Sequence, residues 1–450
     1  MKVYDLASLA QAMGAELRGD GSRRIAAVST DTRRLEPGAL FFALSGENFD
    51  AHDFLSQAAE SGAGALVVSR KVAVPEGLPV LMVDDVLAAL QRLAAWYRRE
   101  LDLPVVAITG SNGKTSTKDL VRAVLGRRFR VNATRGNLNN HIGLPLSILA
   151  TEEADEVLVL EMGMNHAGEL APLCEIARPD IGIITNVGTA HIEHLGSREA
   201  IAEEKGTLAR ALGSEGTLVV LAEGEFTPKF RAETAARVLA AGGEELRAEG
   251  LEFTPEGSRF ELVIEGMGSE EVTLPVTGRH MVGNALLAAG AGLVAGLDLE
   301  EIATGLASLE LTTGRLRRFE QGGVTVLDDT YNANPDSVAA AIETLADLPT
   351  GDGARKWVVL GMMAELGAHA AEAHVAVGRL ARERGLRVVA VGEAARGIAE
   401  GAGEGAEFFA EREKAVAFLR GAVAAGDVVL FKGSRMAAME RVMNELFSED

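Results

Sequence analysis

Residues 105–115 carry the pattern that most constrains how this chain can fold. An apolar run ends in a turn that reads Gly-Ser-Asn-Gly-Lys-Thr over residues 110–115, and a segment compatible with a helix follows at 118–125. A strand, a glycine-bearing loop and a helix together form a triphosphate site, because backbone N–H groups and the helix N-terminus face the anion. Lys114 adds positive charge there, and the hydroxyl of Thr115 can bind Mg²⁺.

The spacing of this loop is unusual. The common phosphate loop has four residues between its first glycine and the Gly-Lys pair, whereas here only Ser111 and Asn112 separate Gly110 from Gly113. An ordinary strand-to-helix turn is the competing interpretation. The apolar run before the loop and the helix-compatible segment after it favour a nucleoside triphosphate site.

Composition limits the class of protein. The chain has 450 residues, enough for two to four domains. Its 65 acidic and 44 basic residues give a net charge of −21, which argues against a nucleic-acid partner. No apolar run approaches the roughly 20 residues that span a bilayer, and the N-terminus lacks a signal-peptide pattern. Cys174 is the one cysteine, so no intrachain disulfide can form. These features predict a protein of the reducing cytoplasm without a membrane span.

The middle of the chain reads as a parallel sheet covered on both faces. Continuous apolar runs at 157–160 and 181–184 stop at polar or glycine-bearing segments, and residues 278–297 form a helix-like run of small residues. Ligands of such sheets bind beyond the carboxyl ends of the strands. Thr115, Glu161 and His191 should therefore meet at one edge as a metal set, although a histidine is an unusual Mg²⁺ ligand and a lone glutamate is often structural. Residues 218–271 give only a weak signal of short strands and charged turns.

Residues 311–450 repeat the alternation, with strands at 324–329, 357–361, 388–392 and 428–433 and amphipathic segments between them. This pattern predicts a second open α/β sheet. Polar residues follow the ends of these strands, where such sheets bind ligands: Asp328, Asp329, Tyr331, Asn332, Asn334, Lys432, Ser434 and Arg435. Helix capping and turn formation are the competing explanation for these residues. Lys432 and Arg435 bring positive charge to a helix N-terminus, which a bound anion would offset.

Several stretches together resemble the Mur ligase family, the ATP-dependent amide-forming enzymes of peptidoglycan precursor synthesis. The stretches run in family order over nearly the whole chain: 109–115, Gly-Asn-Leu-Asn-Asn at 136–140, Glu-Met-Gly at 161–163, Thr-Ala-His at 189–191, Glu-Lys-Gly at 204–206, Arg-His at 279–280 with Asn284, Gly-Arg-Leu at 314–316 and Asp-Thr-Tyr-Asn-Ala-Asn-Pro at 329–335. Within the family, residues 331–335, 363–367 and 432–440 are most similar to the member that adds D-alanyl-D-alanine.

The resemblance implies a three-domain α/β enzyme. A small N-terminal α/β domain (1–102) would bind the UDP part of the substrate, a central P-loop parallel-sheet ATPase domain (103–311) would bind ATP, and a C-terminal Rossmann-like α/β domain (312–450) would complete the ligase site. The implied enzyme is a monomeric ATP-dependent carbon–nitrogen ligase that joins D-Ala-D-Ala to UDP-N-acetylmuramoyl tripeptide through an acyl phosphate. Such an enzyme serves cell wall biogenesis, cell shape and cell division.

The resemblance also assigns roles to matching positions. Catalysis falls to Lys114, Glu161, His191 and Lys205. Two Mg²⁺ ions would be held by Thr115, Glu161, His191 and a carbamylated Lys205, for which a solvated helix lysine is the competing interpretation. ATP would be bound by Gly110, Asn112, Gly113, Lys114, Thr115, Ser116, Asn284, Arg315 and Asp329. The two other substrates would be bound by Ser29, Asp31, Arg33, Asp50, His52, Asn137, Asn139, Asn140, Tyr331, Asn332, Asn334, Lys432, Ser434 and Arg435.

The chain departs from the family at Met281, which replaces the asparagine that usually follows the motif histidine and shares the adenine contact with Asn284. Looser adenine selectivity would follow. Two other functions stay open at this point. One is a different amide ligase of the Mur or folylpolyglutamate type, although the latter starts near its ATP domain and lacks a counterpart of the first hundred or so residues. The other is a P-loop NTPase without ligation.

Overall fold

A computed structural model describes residues 1–46, 49–71, 73–74, 77–351 and 353–448. Three mainly parallel sheets follow one another along the chain, and each is covered by helices. This arrangement confirms the expected three-domain α/β class. The exact domain boundaries stay a prediction.

The N-terminal part holds a five-stranded sheet of order β2-β7-β6-β5-β4, in which only β2 runs antiparallel to its neighbour, and a small β1–β3 pair. Its elements are β1 (Tyr4–Asp5), α1 (Leu6–Met13), β2 (Glu16–Arg18), β3 (Arg24–Ile25), β4 (Val28–Ser29), β5 (Leu40–Phe42), α2 (Leu55–Glu60), β6 (Ala65–Val68), β7 (Val80–Met82) and α3 (Val86–Glu100). The side chain of Asp85 caps α3 by accepting from the amide of Ala88 (3.0 Å).

The central part holds a six-stranded parallel sheet of order β13-β12-β11-β8-β10-β9 and a three-stranded antiparallel sheet, β14-β15-β16. Its elements are β8 (Val105–Thr109), α4 (Lys114–Leu125), β9 (Val131–Ala133), α5 (Gly143–Leu149), β10 (Val157–Glu161), α6 (Leu170–Ala177), β11 (Ile181–Ile184), α7 (Ile192–Leu195), α8 (Arg198–Ala211), β12 (Thr217–Leu221), α9 (Thr227–Glu233), β13 (Arg237–Ala241), β14 (Leu246–Thr254), β15 (Gly257–Ile264), β16 (Gly268–Leu274), α10 (Arg279–Val294) and α11 (Leu299–Ala307).

The C-terminal part holds a six-stranded sheet of order β17-β18-β22-β19-β20-β21, parallel except for the edge strand β17. Its elements are β17 (Arg317–Gln321), β18 (Val324–Asp329), α12 (Pro335–Asp347), β19 (Lys356–Leu360), α13 (Ala370–Glu383), β20 (Arg387–Val391), α14 (Arg396–Ala402), β21 (Glu407–Phe409), α15 (Arg412–Ala422), β22 (Val428–Lys432) and α16 (Met439–Phe447).

Strand β8 shows that the central sheet is covered on both faces. All five of its residues are buried. Successive side chains of a strand point to opposite faces: Val106 and Ile108 join the apolar core on one side, while Val105 and Ala107 join the core on the other. A strand in the middle of this sheet must therefore be apolar at every residue, as β8 is.

The structure differs from the sequence prediction in two places. Helix α4 begins at Lys114 rather than at residue 118, because Gly113 supplies the left-handed residue from which the helix starts. Residues 246–274 form a three-stranded antiparallel sheet, with a register shift between Glu249 and Glu252, where only short strands were expected. The small-residue helix α10 packs closely as predicted, since a Cβ on Gly290 would lie 2.8 Å from Val219 Cγ1. Among the described residues, no helix is long and apolar enough to cross a membrane.

Candidate active site

The loop between β8 and α4 has the geometry of a phosphate cradle. Gly110 and Gly113 have positive φ values of 151° and 81°, and a Cβ on Gly110 would lie 1.8 Å from Thr185 Oγ1. Only glycine fits at position 110, because the backbone of the loop passes directly against the residue that follows β11. The ammonium of Lys114 donates to Gly110 O (2.7 Å), inside the loop. The free amides at the start of α4 add positive potential at the same point.

Glu161 lies at the carboxyl end of β10, beside the phosphate loop, because β10 pairs in parallel with β8. Its side chain accepts hydrogen bonds from Thr115 Oγ1 (2.9 Å) and from Asn139 Nδ2 (2.8 Å). Glu161 is only 3% exposed. Thr115 and Glu161 are therefore in contact, as predicted, and Asn139 contacts the same carboxylate. This group offers hydroxyl and carboxylate oxygens, the ligands that Mg²⁺ prefers.

Lys205, on α8, is 1% exposed, which excludes the solvated interpretation of this lysine. Burial, and next the nearby charge of Lys114, hold the pKa of Lys205 well below its ordinary value, against the opposing effect of Glu204. Burial also lowers the pKa of Lys114, although Glu161 acts in the other direction. Among the described residues, no hydrogen bond or ion pair reaches Lys205 Nζ. The site thus holds a buried amine whose neutral form is favoured.

His191 lies in the turn after β11 and has a left-handed backbone (φ 64°). Its Nδ1 lies 2.5 Å from the carboxylate of Glu365, which belongs to the C-terminal part of the chain. Within the described part of the chain, no three His, Cys, Asp or Glu side chains are arranged to hold a metal by themselves. A metal at this edge would need further oxygen ligands, as Mg²⁺ bound to phosphates and water has.

The C-terminal part supplies two further basic side chains, of which Arg315 reaches the start of α4 and Lys432 lies against Asp329. Arg315 stacks on the ring of Tyr331 at 4.0 Å and donates to Thr115 Oγ1 (3.3 Å). Lys432 is buried and donates to Asp329 Oδ2 (2.5 Å), and burial lowers its pKa despite that partner. Burial also lowers the pKa of His280 to about 4, so this ring is neutral at pH 7. Arg315 and Lys432 therefore add two basic groups on this side of a site that suits a polyanion, and His280, from α10, adds a neutral ring.

Three contacts join the C-terminal part to the phosphate loop and to the His191 turn, in addition to Arg315. Asn334 Nδ2 donates to Asn112 Oδ1 (2.7 Å), and Asp336 accepts from the amide and the hydroxyl of Thr189 (2.6 and 2.7 Å). The third is the pair of His191 and Glu365 described above. The loop is also held from its own domain, since Asn186 Oδ1 accepts from the amide of Asn112 (2.9 Å).

The substrate residues expected in the N-terminal part form two groups at the ends of β4 and β5. Arg33 makes a bidentate contact with Asp31, which lowers the pKa of that carboxyl to about 2. His52 Nδ1 lies 2.7 Å from Asp50 Oδ1, and hydrogen bonding chiefly from the His52 amide lowers the pKa of Asp50 to about 2. Ser29 Oγ accepts from the Asp31 amide (3.1 Å). Among the described residues, no hydrogen bond joins either group to the phosphate loop.

Several predicted residues also make contacts that serve the fold, and for Asn334 this is the helix cap that the competing interpretation expected. Asn140 stabilises the turn before α5 by accepting from the amides of Ile142 (3.1 Å) and Gly143 (2.9 Å), and Asn334 caps α12 by accepting from the amide of Ser337 (3.0 Å). Asn284 lies over the phosphate loop and donates to Met281 Sδ (3.7 Å). Ser116 is buried in α4, and the other predicted residues leave polar groups available: Asn137, Asn332 and Arg435 are exposed, and Ser434 Oγ is buried without a partner in the described structure.

Sequence reasoning missed Asp336, Glu365 and Thr189 as parts of this site. Their only local signals were a helix-start pattern, Asn-Pro-Asp-Ser at 334–337, and membership in stretches that carry the family resemblance. Contacts between residues separated by 147 and 174 positions are not visible in such signals.

Comparison with protein families gives three matches in chain order. Residues 24–98 match the model described as "Mur ligase family, catalytic domain", residues 108–292 match "Mur ligase middle domain", and residues 314–435 match "Mur ligase, glutamate ligase domain".

Individual proteins match over nearly their whole length. The UDP-N-acetylmuramoyl-tripeptide–D-alanyl-D-alanine ligase of Escherichia coli (strain K12) is 38% identical, with 98% of each chain covered. A crystal structure of MurF from Acinetobacter baumannii superposes with a TM-score of 0.93 at 32% identity and full coverage of both chains. The MurF ligase of Thermotoga maritima in complex with ADP has a TM-score of 0.83 at 30% identity, covering 93% of this chain and 96% of that one.

Proposed function

The chain belongs to the Mur ligase family, and on this premise we propose that it joins D-alanyl-D-alanine to UDP-N-acetylmuramoyl tripeptide with the hydrolysis of ATP, a step of peptidoglycan precursor synthesis. One observation supports the proposal most strongly. Lys114, Lys205 and Glu161 are brought together beside a phosphate loop at the place where the C-terminal part of the chain meets it. A ligase that passes through an acyl phosphate needs that arrangement, because the triphosphate and both other substrates must share one site.

ATP would lie with its phosphates on the loop between β8 and α4. The amides of the loop and the ammonium of Lys114 would contact the phosphates, and Arg315 would approach from the C-terminal side. The nearby position of Asn284 above Gly113 suits a contact with the nucleotide. These groups spread positive charge around the transferred phosphoryl group, which is most of what catalysis of phosphoryl transfer requires.

The reaction would proceed in two displacements. A carboxylate oxygen of the tripeptide attacks the γ-phosphorus, the bond to the β–γ bridging oxygen breaks, and ADP leaves with that electron pair. The amine of D-Ala-D-Ala then attacks the acyl carbon and loses a proton. The bond between the acyl carbon and the phosphate oxygen breaks, and inorganic phosphate leaves as the amide forms. Holding the two reacting groups in one closed site lowers the barrier, because the entropy of bringing them together has already been lost on binding.

The oxygen ligands of the site fit Mg²⁺. Thr115 would hold one ion together with phosphate oxygens, and Glu161, His191 and a carbamylated Lys205 would hold a second; bound Mg²⁺ would neutralise charge on the phosphates. The low pKa of Lys205 favours a free amine, the form that adds carbon dioxide to give a carbamate. The carbamate is an anion beside Lys114, so the modification would replace an amine whose charged form Lys114 disfavours with a group that Lys114 attracts.

The two other substrates would approach from opposite sides. The N-terminal groups around Asp31 and Asp50 would take the UDP moiety, and Asn137 and Asn139 would take the peptide. The dipeptide would lie against the C-terminal residues Tyr331, Asn332, Asn334, Lys432, Ser434 and Arg435. Arg435 is exposed and suits a carboxylate, and Ser434 Oγ has a free hydrogen-bonding capacity. We infer a monomer that works in the cytoplasm, where its substrates are made.

A phosphate-release assay tests the proposal directly. The wild-type enzyme should release phosphate from ATP only when both UDP-N-acetylmuramoyl tripeptide and D-Ala-D-Ala are present, and mass spectrometry should find the pentapeptide product in equal amount. Tripeptides that contain lysine or diaminopimelate should be compared in the same assay. Phosphate release that ignores both substrates would instead indicate an NTPase without ligation, and release with other amide-forming pairs would indicate a different ligase.

The carbamate has its own test. Lys205→Ala should be inactive and should recover partly with a short-chain carboxylate, which replaces the lost anion. Full activity of this variant without any addition would contradict the role of Lys205.

A further inference from the structure

The turn from Asn186 to His191 is held in place by another domain. His191, at its end, has φ 64° although it is not a glycine. Such a conformation costs free energy and persists only where the surroundings impose it. At its other end the turn is tied to the phosphate loop, because the amide of Gly188 donates to Ser111 Oγ (2.9 Å). The turn therefore connects the phosphate loop to a strained residue.

Asp336 makes the main contact from outside with this turn. One of its oxygens, Oδ2, accepts from both the amide and the hydroxyl of Thr189, at 2.6 and 2.7 Å. The fit is tight, since a Cβ on Gly188 would lie 2.4 Å from the same oxygen. Glu365, from the same domain as Asp336, holds the ring of His191. Both ends of the segment from Thr189 to His191 thus depend on carboxylates of the C-terminal domain.

A simpler role for Asp336 must be separated from this one. It lies in the first turn of α12, where any acidic residue stabilises a helix through the helix dipole. Glu372 also lies in the first turn of its helix, α13, one position further along than Asp336 in α12, and is exposed. Among the described residues it has no side-chain partner. Of these two described residues, Asp336 alone also contacts the neighbouring domain.

We propose that Asp336 is a positioning residue that sets the conformation of the His191 turn, so that this side of the active site is assembled only when the C-terminal domain is docked. The inference rests on the proposed ligase function for its kinetic consequence, but the structural consequence does not depend on it. Docking would then act as a check: phosphoryl transfer waits until the domain that brings the dipeptide is in place.

The test compares four variants with the wild type: Asp336→Ala, Asp336→Asn, Thr189→Val and the matched helix control Glu372→Ala. Three quantities are measured on each full-length enzyme. They are kcat for ligation, the Kd for ADP, and hydrogen–deuterium exchange of peptides covering residues 186–195. The exchange measurement needs neither substrates nor activity.

Asp336→Ala should lower kcat about tenfold, which corresponds to about 1.4 kcal/mol in the barrier, while the Kd for ADP stays within about twofold. The amide of Thr189 should exchange faster in this variant. Asp336→Asn keeps an accepting oxygen and should restore most of the protection and rate. Thr189→Val should give an intermediate loss that does not add to that of Asp336→Ala, and Glu372→Ala should match the wild type.

Unchanged exchange and unchanged kcat in Asp336→Ala would overturn the proposal. An equal loss of kcat in Glu372→Ala would also overturn it, because the effect would then come from helix stability. A parallel weakening of ADP binding in Asp336→Ala would overturn it too, because it would indicate a general disruption of the site. If the wild type does not ligate but Thr189 protection still depends on Asp336, the proposed function fails while the positioning role stands.

Discussion

Replacing Lys205 with methionine should stabilise the metal-free enzyme while it abolishes ligation. Folding buries this lysine without a hydrogen bond or ion pair from the described residues, so burial disfavours its charged form and lowers its pKa. Methionine has a similar length and no charge, and it loses no partner. Removing an uncompensated buried ionisable group removes a cost of folding.

The magnitude depends on pH, and its sign follows from proton binding. The unfolded lysine binds a proton below its ordinary pKa of 10.5, whereas burial, and next the charge of Lys114, hold the pKa of the folded lysine well below that value. The unfolded state therefore binds more protons, and wild-type stability rises with pH by about 1.4 kcal/mol per pH unit in the window between the two pKa values. Lys205→Met lacks this term. Its advantage should be largest at the low end of the window and should vanish near the pKa of the unfolded lysine.

Urea denaturation of both proteins, in metal-free buffer without carbon dioxide and at several pH values from about 7.5 to 9.5, measures the difference. Lys118→Met is the matched control. Lys118 is equally buried, but its Nζ lies 3.0 Å from Asp119 Oδ1 and donates to Thr134 O (3.2 Å). Breaking that buried pair should destabilise the protein by about 3–5 kcal/mol, the opposite sign.

Added bicarbonate extends the test. It should raise the stability of the wild type and leave Lys205→Met unchanged, because a modification that occurs only in the folded state shifts the equilibrium towards that state. A variant that is less stable than the wild type, or a difference that does not change with pH, would refute the reasoning about the buried amine.

Three further predictions test the phosphate loop and the C-terminal sheet. Lys114→Ala should lower ligation by at least about 10³-fold with an unchanged circular dichroism spectrum; near-normal turnover would exclude its contact with phosphate. Gly110→Ala should lose nucleotide binding in calorimetry, because its Cβ would overlap Thr185 Oγ1; wild-type affinity would show that the loop can shift. Asp427→Asn should cost about 2 kcal/mol in urea denaturation. Burial acts against ionisation, but the hydrogen bonds from Arg355 and others hold the pKa of Asp427 below its ordinary value. The stability that the carboxylate provides is present above pH 3.8 and is lost as the pH falls through the folded pKa, so the variant's deficit should shrink in acid; a constant deficit would contradict this.

Much of the fold was predictable from local patterns. Strand β8 and its neighbours are continuous apolar runs because both faces of the central sheet are covered. Every residue of β8 is buried, so each one carries this signal in the sequence. The phosphate loop was predictable for a similar reason, since Gly110 and Gly113 are needed by the backbone itself. The antiparallel sheet of β14, β15 and β16 was expected only as short strands because Gly250 and a register shift between Glu249 and Glu252 interrupt β14, and the adjacent charged residues Glu270 and Glu271 interrupt the alternation in β16.

Within the candidate site, the sequence by itself determined the residues that stand at strand ends, such as Thr115 and Glu161, because parallel strands end at one edge of a sheet whatever else the chain does. Only the tertiary structure decided which residues face them from elsewhere. The low pKa of Lys205 is a product of burial, and the contacts of Asp336 and Glu365 depend on how the third domain lies over the second. Burial and distance are properties of packing between remote segments, and no local pattern encodes them.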